Sequence, residues 1–527
     1  MLGAWLARPD VPPLHLRDLA ADPAMPPELR AAAGLVLDLS GNGAPGEVAG
    51  LDSDLTEGIR AAVHAIRRET EAPQNEAVLR KASEAVVAAT EPTAVARAMW
   101  SAFCPDAASI GDDWLHGVEQ IRKRRRLQEV TPAARPIKPD ELLLTSNVLL
   151  TTPVESADQL PVDEAAAAGM ARTADPVAFF DHPVPLDTPA DRHELIYGLS
   201  GLDRAVAFEK HRGLTRDRVP VVLSVSTTHD ALDRVAFSHV ARMLRAHPVQ
   251  NLEVFAFTEE HTARLIREVI SPALGPAGST EGVERVFGVA GAYGRHYTFL
   301  KAIAPLWSLL VDRTIRATFK LDLDQVFPQA ELVAATGGSA LEHLCAPQWG
   351  GTAVGAGGEP VALELVAGSL VNDADMARGI HVPDVARPGH PERPEEFIFY
   401  AVLPQALSTE AEMMPGPANE ARRRVHVTGG TTGVTVAGMR RFRLFSPSFW
   451  GRAEDQAFSL SASRDPAPAT LHLPHLVMRH DKHSFAESAI EAAAVDKLIG
   501  DYERILMFSA YAELVDPELR TIKAELG

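Results

Sequence analysis

An α/β fold, a mixed sheet flanked by helices, is what the sequence predicts for residues 216–485. Three observations carry that expectation. Near-continuous apolar runs at 219–226 and 252–257 read as strands covered on both faces. Helical spacing fills the intervals that follow them, giving the β-α-β-α order of a layered sheet. Polar residues gather where the strands end, at Thr227, at Glu259 and at the pair Asp322 and Asp324. Ligands of open α/β sheets bind at the carboxyl ends of the strands, so these ends mark the expected site.

The chain has 527 residues, enough for two or three domains. Its 46% hydrophobic content is that of an ordinary globular protein. No apolar run reaches the length needed to cross a bilayer, and the N-terminus lacks the pattern of a secretory signal. Cys104 and Cys345 lie far apart, which suggests a reducing compartment and a cytoplasmic location. With 51 basic and 70 acidic residues the formal charge is −19, which argues against a nucleic-acid partner.

Residues 1–135 read as a mainly helical region. Asp54-Leu55-Thr56-Glu57 has the form of a helix start, and apolar residues then recur at helical spacing through four segments, the last over 114–127. That last segment carries Arg122-Lys123-Arg124-Arg125-Arg126. It reads as a solvated face, or as a contact with the chain's own acidic surface, ahead of a nucleic-acid patch. Residues 136–215 are proline-rich and read as a connecting segment, with a strand over 141–150, the pocket-like sequence Phe179-Phe180-Asp181-His182-Pro183 and a helix over 194–208. A further strand is expected at 286–289. Residues 486–527 read as a helical tail. Together with the N-terminal helices the tail offers faces through which a homo-oligomer would form.

The stretch from Arg316 to Pro328 alternates apolar and polar residues as a strand does, so Asp322 and Asp324 are expected on one face and Phe319, Leu321 and Leu323 on the other. Two carboxylates so close repel each other. A divalent cation such as Mg²⁺ or Mn²⁺, held by oxygen ligands, would offset the charge and keep positions open for a phosphate group.

The order of motifs over about 217–485 resembles that of the GT-A nucleotide-sugar glycosyltransferases, family-2-like members among them. Asp322-Leu323-Asp324 resembles the D-x-D motif that holds a divalent metal on the donor diphosphate. Gly291-Ala292-Tyr293-Gly294-Arg295-His296 is similar to a glycine-rich Arg-Asn segment, with His296 in place of the Asn. His426-Val427-Thr428-Gly429-Gly430-Thr431-Thr432-Gly433 resembles the loop where donor and acceptor meet. Phe449-Trp450-Gly451-Arg452-Ala453-Glu454-Asp455 resembles the acidic motif beneath the acceptor, and His480 or His483 the late histidine that completes the metal site.

The resemblance implies a GT-A (Rossmann-like) domain and a metal-dependent hexosyltransferase. Such an enzyme moves a sugar from a UDP- or GDP-sugar to a hydroxyl acceptor of unknown type. It implies metal ligands Asp322 and Asp324 with His480 or His483, His480 being preferred. It implies donor contacts from Thr227, Glu259, Arg295, Asp322, Gly429 and Gly430, and an acid or base at Asp455 or Glu454. In an inverting member Asp455 takes the acceptor proton. In a retaining member, similar to mannosylglycerate synthase, it orients a substrate. Three other readings stand beside this one: a sugar nucleotidyltransferase, a hydrolase built on His472, His475, His480 and His483, and a non-catalytic nucleotide-sugar-binding protein of the same fold. The first would need a basic, glycine-rich loop after the first strand, and Ser226-Thr227-Thr228-His229-Asp230 has neither glycine nor lysine.

Overall fold

The computed structural model describes residues 114–154, 157, 159–174, 183–215, 217–275, 280–290, 295–385, 402–413, 420–424, 430–441 and 467–485, with isolated residues before 90. The chain divides into two compact units, and the sheet lies in the one formed by Val118–Ala386 and Ser408–Ile499. The helices expected over 54–103, the segment 179–182 and the tail after 485 fall outside the described residues or on isolated ones.

In chain order the strands are β1 (Gln128–Thr131), β2 (Leu142–Thr151), β3 (Val184–Pro185), β4 (Val219–Thr227), β5 (Leu252–Phe257), β6 (Ala317–Leu321), β7 (Gln325–Val326), β8 (Thr352–Val354), β9 (Pro360–Asn372), β10 (Arg423–Arg424), β11 (Thr431–Thr435) and β12 (Ala467–His480). The helices that matter below are α1 (Trp114–Arg124), α2 (Val162–Ala171), α3 (Glu194–His211), α4 (Asp230–Ala246), α5 (Glu259–Leu265), α6 (Arg295–Leu310) and α7 (Val402–Met413).

The chain folds as an α/β protein with one large mixed sheet. β5, β4, β2 and β6 lie side by side in that order and run parallel. β11 sits antiparallel between β6 and β9, and β8 and β1 extend the sheet beyond β9. β12 runs parallel to β9, then pairs antiparallel with β7 through Arg479 and His480.

Strand alternation explains why both faces need helices. Leu142, Leu144, Val221, Leu223 and Val225 enter one core with Leu195, Leu199 and Leu202 of α3 and Leu232, Val235 and Val240 of α4. Leu143 and Val222, one residue out of phase, enter the other core with Phe299, Ile303 and Trp307 of α6. β2 and β4 are buried along nearly their whole length, as strands covered on both faces must be.

The sequence expectations are revised at four places. One of the two inner strands of the parallel set is β2, which lies in the segment read as a connection. Its run of leucines has no period-2 alternation because neither face meets water. The sheet thus begins well upstream of residue 216. Residues 287–289 form no strand; Phe287 and Val289 are core residues held in a bend. The end of the glycine-rich stretch is not a loop but β11, where Gly433 sits against Trp349 and Thr318 so closely that a Cβ would lie 3.0 Å from each. Finally, β6 stops at Leu321, and Asp322 to Asp324 form a turn closed by the Gln325 amide on the Asp322 carbonyl, 3.2 Å away. The same-face geometry of a strand therefore does not apply to the two acids.

Candidate functional site

From β2 the chain steps to β4 and β5 on one side, while β6 lies on the other side of β2. Connections diverge at this point, and the crevice beyond the carboxyl ends of β2 and β6 is where an open α/β sheet exposes a ligand site. The turn Asp322-Leu323-Asp324 opens directly from β6 into that crevice.

Three elements hold the turn. α3 lies behind it, with glycines at the contact. A Cβ on Gly198 would be 2.5 Å from the Leu323 carbonyl oxygen, and one on Gly201 would be 2.3 Å from Val326 Cγ1. β12 holds it from the side, with His480 opposite Gln325 and the Asp481 amide donating to the Asp324 carbonyl at 3.1 Å. Gly430 presses on it from the front; its missing Cβ would be 2.1 Å from Asp322 Oδ2.

The acids have different surroundings. Asp324 is buried, and its Oδ2 lies 2.7 Å from His480 Nε2. His480 Nδ1 is buried without a hydrogen-bond partner. Asp322 is a third exposed, pairs with the buried Lys320 ammonium and accepts from Gln325 Nε2 at 3.2 Å. The Lys320 ammonium also lies 4.9 Å from the centre of the Tyr297 ring. Thr432, the cross-strand neighbour of Lys320, accepts from Lys301 Nζ at 2.7 Å. Two buried lysines thus stand on the face of the sheet that carries Tyr297. Arg479 reaches Asp373 at 3.1 Å and the Tyr197 hydroxyl at 3.4 Å.

Of the residues singled out in the sequence, Asp322, Asp324, Gly430 and His480 come together here, although 158 positions separate Asp322 from His480. Thr227, Glu259 and Arg295 are engaged internally. The Thr227 hydroxyl lies 3.0 Å from the His229 carbonyl and 2.6 Å from Asp233, fastening the first turn of α4. Burial lifts the Asp233 carboxyl above its ordinary range; the Thr227 bond opposes that rise, and Glu259 and Asp230 add to it. Glu259 accepts from the amides of Val289 and Ala290 at 3.1 and 3.0 Å and pairs with Arg295 at 2.7 Å. Its carboxylate thereby stands in for the ladder that residues 287–289 lack. Gly429, Glu454, Asp455 and the His483 side chain lie outside the described residues.

The sequence reading missed Lys320 and Lys301. Lys320 carried a signal, since it lies on β6 two residues before Asp322, where alternation points it away from Phe319 and Leu321. Lys301 carried a weaker one, a cation in the apolar face of α6.

Among the described residues no group of three or more His, Cys, Asp or Glu side chains is gathered as an ion cage. The Asp324–His480 pair nonetheless has the spacing of two ligands on one divalent ion. Two adjacent donors on a six-coordinate Mg²⁺, each about 2.1 Å from it, lie about 3 Å apart, close to the 2.7 Å observed between Oδ2 and Nε2. No family model, no curated protein and no solved structure matches this chain.

Proposed function

We propose that the chain is a metal-dependent glycosyltransferase of GT-A type, moving a hexose from a nucleoside-diphosphate sugar to a hydroxyl acceptor. The observation that carries the reading is the Asp324–His480 contact on the turn after β6, beside Asp322 and in the crevice of the sheet. Asp324, His480 and Asp322 are the residues that would hold the ion. When bound, a divalent ion neutralises charge on the diphosphate leaving group.

The chain's own residues supply the rest. Lys320 balances the Asp322 charge within the turn. Lys320 and Lys301 place fixed positive charge behind the turn, which favours an anionic ligand in front of it. Asp455, with Glu454 beside it, is the proposed acceptor-side acid or base.

The nucleotidyltransferase reading gains nothing from the revised first strand. The loop after β2, residues 152–161, also contains no glycine, lysine or arginine.

Hydrolysis of UDP-, GDP- and ADP-sugars with Mn²⁺ or Mg²⁺ tests the proposal. Wild type turns over one donor in a metal-dependent way, Asp324→Asn lowers the rate by about two orders of magnitude, and His480→Ala raises the metal concentration needed for half-maximal rate by about tenfold or more. Turnover that ignores both the metal and Asp324→Asn rejects the reading.

A further inference from the structure

Three histidines far apart in sequence bring their rings together at a place the crevice does not use. The ring centre of His475, on β12, lies 5.4 Å from that of His343 and 5.9 Å from that of His381. Each ring comes from a different stretch of the chain, and local structure aims each one.

A bulge aims His475. β12 pairs with β9 through His472 and Ala367, and again through Val477 and Ser369, so residues 473–476 stand against Gly368 alone. A bulge redirects the side chains it carries. Leu473 and Leu476 are buried, and His475 between them is exposed. Gly368 permits the bend: its missing Cβ would be 2.5 Å from the Leu476 carbonyl oxygen. His381 braces it, because its ring donates to the Pro474 carbonyl.

His343 lies in the short helix Ala340–Leu344, whose start Ser339 and Glu342 cap reciprocally. Its Nε2 is 2.7 Å from Thr336 Oγ1. That hydroxyl gives its own proton to the Leu332 carbonyl, also at 2.7 Å, so it accepts from the ring. Nε2 therefore carries the ring proton, and Nδ1 carries the lone pair. Gly338 makes room for the ring, since a Cβ there would be 2.6 Å from His343 Cε1. Burial first, and then the neighbouring His475, hold the His343 ring below the usual histidine range; Glu342 and the Gly338 carbonyl oppose them. Desolvation lowers His475 as well. At neutral pH both rings are mainly uncharged, so protons compete weakly for their lone pairs.

We infer that His343 and His475 together bind a divalent transition-metal ion of the Zn²⁺ or Ni²⁺ kind, through one nitrogen of each ring, with water in the remaining positions. Imidazole suits such ions, whereas Mg²⁺ takes oxygen ligands. Two imidazoles on a tetrahedral Zn²⁺, each nitrogen about 2.0–2.1 Å from the ion, hold their ring centres about 5 Å apart, close to the 5.4 Å observed. The Thr336 contact is the outer bond that fixes the tautomer of a metal-bound histidine. The ion ties the helix Ala340–Leu344 to the bulge of β12. The site is separate from the crevice at the carboxyl end of the sheet: His475 and His480 are five residues apart, on the order of 15 Å along a strand. The inference does not rest on the glycosyltransferase reading.

The test uses the full chain. Zn²⁺ and Ni²⁺ binding are measured by isothermal titration calorimetry with Mg²⁺ in excess, and thermal unfolding without Zn²⁺ or Ni²⁺ shows that each variant is folded. Wild type has a saturable site that Asp324→Asn retains. His475→Ala, a change at an exposed position, and His343→Ala each weaken that site by about tenfold or more. Equal binding in wild type and His475→Ala overturns the inference. So does a loss in His475→Ala that His343→Ala does not reproduce, or a site that disappears in Asp324→Asn, which would belong to the crevice. Should His343→Ala fail to fold, zinc-edge anomalous scattering from wild-type crystals decides: a peak bonded to both rings supports the site, and none there overturns it.

Discussion

Asp322 shows how much of the candidate site depends on single atoms. Its Oδ2 is fixed by Gln325, and the space beside it exists because residue 430 has no side chain. In Gly430→Ala the new methyl meets Oδ2 and, at 2.3 Å, the Gln325 amide nitrogen, so the carboxylate is displaced. We expect a cost of about 1–3 kcal/mol in stability, read by denaturant unfolding, and a loss of donor hydrolysis larger than that cost explains. Unchanged activity in a destabilised variant would separate Gly430 from the site. The importance of the two acids was legible in the sequence; their geometry was not. A strand argument put both on one face, whereas the turn gives each its own neighbours. Asp324 found a histidine from far along the chain, and Asp322 a lysine two residues before it. The lysine was visible in the pattern, because residue 320 must face away from Phe319 and Leu321.

Among the elements, α3 is the one whose packing most directly shapes the turn. Gly198 and Gly201 are one helical turn apart, on the face that meets Leu323 and Val326. Glycine is costly inside a helix, and here the close approach of backbone to backbone repays it. In Gly198→Ala the methyl meets the Leu323 carbonyl and Cα, at 2.5 and 2.6 Å, and neither can rotate away. Helix and turn must separate, at about 2–3 kcal/mol, which chemical denaturation will read. Gly169, an interior glycine of α2 with nothing near its missing Cβ, is the control; there alanine should be neutral or slightly stabilising. The sheet was legible as a class but not in its layout. β4 and β5 were visible because their apolar runs are bounded by polar turns. β2 was legible as a strand over 141–150, but the prolines around it placed it in a connecting segment and not in the sheet. β11 lies in the stretch where the resemblance implied a loop; its threonines and valine pair instead between β6 and β9 as a strand.

At the scale of the whole molecule, a histidine buried without charge contributes to the response to acid. His193 is fully buried, and burial, with His239, Arg242 and His247 nearby, holds its pKa down to about 4. Neither of its ring nitrogens has a partner. Beside it His239 lies 2.9 Å from the buried Glu164 carboxylate, which Arg242 also grips at 2.8 Å. In the unfolded chain His193 takes up its proton near pH 6.5, so between pH 6.5 and about 4 the unfolded state binds more protons. Stability is complete above that window and falls as pH drops through it, by up to about 1.4 kcal/mol per pH unit from this residue. In His193→Leu the unfolding temperature should be nearly unchanged at pH 8 and should fall less steeply between pH 6.5 and 4. An identical slope would assign the acid response to other groups. The strand order has a different consequence, for synthesis. β11 joins β6 to β9, and among the described residues β12 ties β9 to β7, yet both come late in the chain. As the polypeptide leaves the ribosome, the parallel strands and the β8–β9 pair emerge first as two fragments with unpaired margins. The sheet becomes continuous only when residues 431–435 arrive, and His480 reaches Asp324 later still. The candidate active site is thus among the last parts of the unit that translation can complete, and until then the half-made sheet is exposed to association with other chains.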